Sequence, residues 1–213
     1  MKYDAIIFDL DGTLWDTRES IAASWGNTLR ERYGASQVPT VEGVESIMGM
    51  TSAGIADTLF SQFGDMRMSV CQQCMADEIP YIRQHGARIY AGVAEMLCAL
   101  SARYRLFAVS NCQAGYMELF FDLFDCGKYF TDYATEGSTG LKKVDNIRLI
   151  AQRHDLHRAV YVGDTVIDEQ SAKAADCDFI HAAYGFGGAE APTGCIYAPC
   201  ELPQLLEALE GIQ

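Results

Sequence analysis

Two aspartates stand two residues apart where an apolar run ends: Asp9 and Asp11 follow AIIF (5–8), and Gly12 comes directly after them. On an extended chain residues i and i+2 face the same side, so the two carboxylates would confront one another. Like charges that close require a cation or a shared proton. Other polar residues have the same placement. Thr13 follows the first pair, Ser110 and Asn111 end the run RLFAVS (105–110), and Gly163, Asp164 and Asp168 end or follow AVYVG (159–163). Lys142 and Lys143 open the helical pattern that precedes that last run. If these runs are parallel strands, carboxylates, hydroxyls and an ammonium converge on one rim. Carboxylate oxygens are what a hard cation such as Mg2+ prefers, and Mg2+ leaves room for water and a phosphate oxygen. The ion, a lysine and backbone N–H groups would supply the local positive field for an anionic substrate. Gly12 would let the backbone pass close to a phosphate.

Each piece alone is ordinary. An aspartate at a strand end often caps a turn, Ser-Asn commonly opens a loop, and GDTVID (163–168) could be a helix cap with a solvated acid. The joint occurrence, in this order and each directly behind a strand, carries the reading.

The elements that must position these residues alternate. AIIF, RLFAVS, AVYVG and FIHAAY (179–184) read as buried strands, with a weaker one at YFTDYA (129–134). Helical patterns run over 91–104, 144–154 and 168–176. Strands alternating with helices predict an α/β fold, a parallel sheet covered on both faces, with chemistry at the carboxyl ends of its strands. The alternation breaks from about Asp16 to Gln84, where no convincing strand appears. That segment holds helix-like stretches, ESIAASWGNTLRERY and MRMSVCQQCMADEIPYIRQ, and Thr40 as an N-cap before VEGVESIMG. The expected organisation is a helical insert over 16–84 in a core made of 1–15 and 85–213. No internal repeat or low-complexity segment is present.

At 213 residues and 49% hydrophobic, the chain can bury a full core. A formal net charge of -13 argues against nucleic acid or an anionic membrane as partner. No apolar stretch approaches a membrane span, and MKYDAIIFDLDG has too short an apolar run for a secretory signal, so the cytoplasm is expected. The eight cysteines lack a compact framework. Cys71 and Cys74 form CQQC, for which Cys195 and Cys200 are a poor second ligand pair, and all eight read as reduced thiols. Nothing in the sequence specifies an oligomeric state.

These residues resemble the haloacid dehalogenase superfamily over the whole chain. FDLDGTLWDT (8–17) resembles its first motif, VSN (109–111) its second, a lysine of GLKKVDNI (140–147) its third and VGDTVID (162–168) its fourth. The insert resembles a C1-type cap on a Rossmann-like core, and AAYGFG (182–187) is similar to a segment of the phosphoglycolate-phosphatase-like branch. The resemblance implies that Asp9 is a nucleophile forming an aspartyl-phosphate and that Asp11 is the general acid and then base. It implies that Asp9, Asp164 and the carbonyl of Asp11 hold Mg2+. Ser110, Asn111, Gly12 and a lysine would bind the phosphoryl oxygens, with Thr13 and Asp168 in support. Many members carry Lys-Pro at the third motif where this chain has Lys142-Lys143-Val144; the resemblance favours Lys143, whose spacing to Asp145-Asn146-Ile147 matches relatives of the same branch that carry one lysine there.

The implied activity is Mg2+-dependent hydrolysis of a small phosphorylated metabolite. Dehalogenases of the superfamily lack the second aspartate of the first motif, and Asp11 is present here. Phosphonatases use a cap lysine, and no lysine lies between Lys2 and Lys128. Sugar phosphomutases carry a histidine early in the cap, and TRESIAASWGNTLR (17–30) has none. A non-catalytic sensor on the same scaffold would have lost a motif residue, and none is lost. Substrate choice is expected from the insert, through the loop MGMTS (48–52): Met48 and Met50 offer adaptable contact, and Gly49 and Thr51 interrupt a helical pattern. The alternative is that these methionines pack between cap helices.

Overall fold

The computed structural model describes residues 3–211. In chain order its strands are β1 (Ala5–Phe8), β2 (Trp15–Asp16), β3 (Arg88–Ile89), β4 (Arg105–Ser110), β5 (Phe130–Thr135), β6 (Ala159–Gly163), β7 (Asp178–Ala182) and β8 (Gly194–Ile196). The helices are α1 (Arg18–Tyr33), α2 (Val41–Glu45), α3 (Ser52–Leu59), α4 (Arg67–His85), α5 (Val93–Ser101), α6 (Tyr116–Phe124), α7 (Glu136–Thr139), α8 (Lys143–Arg153), α9 (Val166–Ala174) and α10 (Leu202–Gly211). No described helix is long and apolar enough to cross a membrane.

Six strands form one parallel sheet in the order β5-β4-β1-β6-β7-β8. The chain winds outward from β1 to β4 and β5, then returns to the other side of β1 with β6. The order therefore reverses beside β1, where an open parallel sheet leaves a crevice at its carboxyl end. The central strand is buried on both faces: Ile6 and Phe8 enter one hydrophobic layer, Ala5 and Ile7 the other. The register pairs Phe8 with Ala108 on one side and Val162 on the other. Asp9 follows Phe8 by one residue, and Ser110 and Asp164 follow Ala108 and Val162 by two. Strand pairing alone thus brings them to one rim.

Residues 18–85 fold into α1 to α4, with a 3-10 turn over Ser61–Met66. Thr40 accepts the N–H of Gly43 as an N-cap, yet α2 ends at Glu45, short of the helix expected over VEGVESIMG. Trp25 of α1 is buried against Phe60, 5.5 Å between ring centroids, and Cys71 and Cys74 of α4 are buried in the same layer. The chain leaves and re-enters the sheet domain side by side, because β2 and β3 pair antiparallel. That two-residue ribbon and β8 are too short to show alternation, which is why sequence pattern does not find them. The strand expected to reach 184 ends at Ala182, where Gly185 N–H bonds back to the Ala182 carbonyl in a turn.

Phe8 is fully buried and meets Phe130 edge to face at 6.3 Å. Phe8→Ala is expected to cost about 3–5 kcal/mol, read as a lower urea midpoint at unchanged m value. A loss under about 1 kcal/mol would place the core's weight elsewhere.

Candidate active site

The turn after β1 is built by its own backbone. The Asp9 N–H donates to the Val162 carbonyl at 2.8 Å, and the Leu14 N–H to the Leu10 carbonyl at 2.8 Å. Gly12 has φ of 77°, and a Cβ there would lie 2.2 Å from Asp164 Oδ2, so only glycine lets this turn rest on that carboxylate. Gly185 does the same from the other side: a Cβ would come within 2.4 Å of the Gly12 carbonyl and of the Asp164 Cβ. The Phe186 N–H donates to Asp164 Oδ2 at 2.8 Å, and Thr13 Oγ1 lies 3.5 Å from its Oδ1.

Thr165 caps α9, and Asp168 closes the box by accepting the Thr165 N–H at 3.0 Å and its hydroxyl at 2.6 Å, both on Oδ2. That leaves Asp168 Oδ1 for Lys143, whose ammonium sits 2.6 Å from it and 2.9 Å from Asp9 Oδ1. Lys143 is buried, whereas its neighbour Lys142 is exposed and precedes the helix.

Charge is unbalanced in this pocket. Asp9, Asp164 and Asp168 each offer an oxygen within 4.8 Å of the others, all buried, against one ammonium. Burial and the charge of Asp168 push the Asp9 carboxyl up, with Lys143 opposing them; burial, Asp168 and Asp9 push Asp164 well up. Burial works against the Lys143 ammonium, but Asp168 and Asp9 outweigh it and hold its pKa above the ordinary value. A hard divalent cation fits this donor set, since its ligands would be oxygens only and it would relieve the crowding. The carboxylate of Asp11 does not belong to this group. It turns the other way, where Thr17 Oγ1 donates to its Oδ1 at 2.8 Å and the Tyr116 hydroxyl lies 3.0 Å from the same atom and 2.9 Å from Thr17 Oγ1. Burial pushes Asp11 up to about 6, against the pull of those two hydroxyls.

A cavity of about 50 Å³ opens from Asp9 and Asp11 towards the helical segment. Ser110, Asn111, Met48, Gly49 and Met50 line it. Thr51 does not; its hydroxyl accepts the Gly54 N–H as the cap of α3. Asn111 Nδ2 donates to the Gly49 carbonyl at 2.8 Å, and the Ser52 N–H to Glu136 at 3.1 Å, so the loop is fastened to the sheet domain at two points. Sequence reasoning missed Trp25, Glu78, Gln113 and Tyr116, which also line the cavity. Glu78, on α4, is 2% exposed and accepts from Trp25 Nε1 and Gln113 Nε2. In sequence it is one more acid on a polar helix. Thr17 ends the first motif, and its place in FDLDGTLWDT is the only signal that could have marked it.

A family model described as haloacid dehalogenase-like hydrolase matches residues 6–182. Phosphoglycolate phosphatase of Escherichia coli O157:H7 is 27% identical over 216 residues, covering 87% of this chain and 83% of that protein. Among solved structures, a haloacid dehalogenase-like family hydrolase from Streptococcus pneumoniae superposes with a TM-score of 0.80 at 22% identity, over 96% of this chain and 99% of that one. A protein of Haemophilus somnus described as a predicted phosphoglycolate phosphatase superposes at 0.84 and 19% identity, over 97% and 99%.

Burial pushes Glu78 up to about 8 from 4.5, the two hydrogen bonds opposing and Asp11 adding to the rise. The folded protein therefore holds this proton after the unfolded chain has released it. Stability from this group is complete below about pH 4.5 and is lost as pH rises towards 8. Glu78→Gln is expected to narrow the drop in Tm between pH 5 and 8 relative to wild type. Equal drops would contradict the burial of an ionisable carboxyl there.

Proposed function

Because the chain belongs to the haloacid dehalogenase-like hydrolase family, we propose that the rim of β1, β4 and β6 is the active site of a phosphatase acting on a small phosphate monoester through a phosphoryl-aspartate. The observation that carries this reading is the meeting of Asp9, Asp164, Asp168 and Lys143 in one buried pocket, with Asp11 held apart by Thr17 and Tyr116.

Asp9 has one oxygen on Lys143 and its Oδ2 without a hydrogen bond among the described residues. That oxygen would attack phosphorus, and the bond to the leaving alcohol would break as Asp11 gives the alcohol its proton. Asp11 would then take a proton from the water that attacks phosphorus, releasing phosphate and restoring Asp9. Lys143 would bind the phosphoryl oxygens with the Ser110 hydroxyl and loop N–H groups at 110–112, while Asp168 holds the ammonium in place. The Asn111 side chain is engaged with Gly49, so its share in phosphate binding would come from its backbone. Asp9 and Asp164, with the Asp11 carbonyl, would hold Mg2+. The ion would neutralise phosphoryl charge in a pocket that otherwise has an excess of carboxylates.

We further assign 16–84 as a cap over a core of 1–15 and 85–213. The antiparallel ribbon of β2 and β3 is where both connections cross, and the cap's Gly49 and Met50 close the cavity over Asp9 and Asp11. A phosphomutase reading lacks support: no histidine lines the cavity among the described residues.

Phosphate release from a nitrophenyl phosphate should require Mg2+, stop with a chelator and return on adding Mg2+; metal-independent turnover would contradict the proposal. Asp9→Asn should lower turnover by more than about a hundredfold, since it removes the nucleophile and keeps its shape. Asp11→Asn should cost about 10²–10⁴-fold on an alkyl phosphate and much less on a nitrophenyl ester, whose leaving group needs no proton. Equal losses on the two esters would remove Asp11 from the acid role.

A further inference from the structure

The side of the cavity that would receive the leaving group is apolar, with Ile21, Trp25, Met50, Ile55 and Met75 along it. The one ionisable group the helical segment contributes is the carboxyl of Glu78. No lysine, arginine or histidine lines the cavity among the described residues. Three of its side-chain donors are already engaged. Trp25 Nε1 and Gln113 Nε2 donate to Glu78, Gln113 Nε2 also donates to the Met75 carbonyl at 3.2 Å, and the Tyr116 hydroxyl is held by Asp11 and Thr17. With Glu78 ionised, what remains is acceptor capacity. Each Glu78 oxygen takes one donor and has a second lone pair, and the buried Asn111 Oδ1 has no partner among the described residues.

A substrate carboxylate brought here would lose its water, find no cation, and oppose the ionised form of Glu78. An ammonium would find the reverse. We propose that this chain selects the phosphate monoester of a small amino alcohol, its ammonium seated against Glu78, and discriminates against esters whose alcohol carries a carboxylate. The assignment rests on the phosphatase reading and names the substrate class of that same site. A seated ammonium would also favour the ionised form of Glu78, which burial alone opposes. Size does not make the distinction. A cavity of 50 Å³ has room for about four water-sized groups, and an aminoethyl and a carboxymethyl group are of nearly equal volume.

The test is Mg2+-dependent phosphate release from 2-aminoethyl phosphate, phosphoglycolate and a nitrophenyl phosphate. In the wild-type protein kcat/KM for 2-aminoethyl phosphate should exceed that for phosphoglycolate by about tenfold or more, the value of one charge-assisted hydrogen bond. Glu78→Gln should bring that ratio down by about the same factor, chiefly by raising KM for the amine. Phosphoglycolate preferred by the wild type, or a ratio unmoved in a folded Glu78→Gln protein, overturns the assignment while turnover of the aryl ester leaves the phosphatase reading standing. No release from any of the three esters overturns both. The wild-type ratio decides the matter even where the variant does not fold.

Discussion

An excess of buried carboxylates over ammonium groups governs this molecule. Asp9, Asp164 and Asp168 converge with only Lys143 between them, and a water-excluding site strengthens every charge interaction within it. Such a cluster destabilises the fold unless other parts of the chain hold it in place. The neighbouring structure does so with fixed donors. The Thr165 cap engages one oxygen of Asp168, and the Phe186 N–H engages Asp164. Gly12 and Gly185 let two loops approach Asp164 more closely than any side chain would permit. The strain of like charge is kept at the position where a cation and a phosphoryl group would relieve it.

The sheet makes that convergence possible at little conformational cost. Parallel pairing of β1 with β4 and β6 sets the height of all three strand ends, and both faces of β1 are sealed by hydrophobic layers. The acids therefore project from a rigid floor, as an electrostatically organised site requires. The helical segment is attached differently. It joins the floor through a two-residue ribbon, through polar contacts that include Asn111 with Gly49, Ser52 with Glu136 and Gln113 with Met75 and Glu78, and through the hydrophobic layer it shares with one face of the sheet.

The two halves of the cavity also differ in chemistry. The floor carries the charge and the groups proposed to react, whereas the roof is apolar with one carboxyl, Glu78, tied to Trp25 and Gln113. If the floor binds only a phosphoryl group, as proposed, the choice among alcohols falls to the roof. Met48 and Met50 line the cavity and also pack against the hydrophobic core, so packing does not keep them from the cavity. Thr51 serves the helix instead.

The sequence by itself determined the floor. Apolar runs ending in Asp9, Ser110 and Asp164 specify strands whose ends carry chemistry, because a parallel sheet aligns its carboxyl ends whatever the details of packing. The preference for Lys143 over Lys142 came from the resemblance, through its spacing to Asp145-Asn146-Ile147. Only the tertiary structure decided the roof. That Asp11 turns to Thr17 and Tyr116 and that Glu78 faces the cavity depend on contacts between residues up to 105 positions apart. A helix period shows which residues share a face but not what that face will meet. An acid at position 78 reads as a solvated charge until α1 and the loop before α6 bury it. Short elements such as β2, β3 and β8 escaped for the same reason: two or three residues carry no period, and only their partners make them strands.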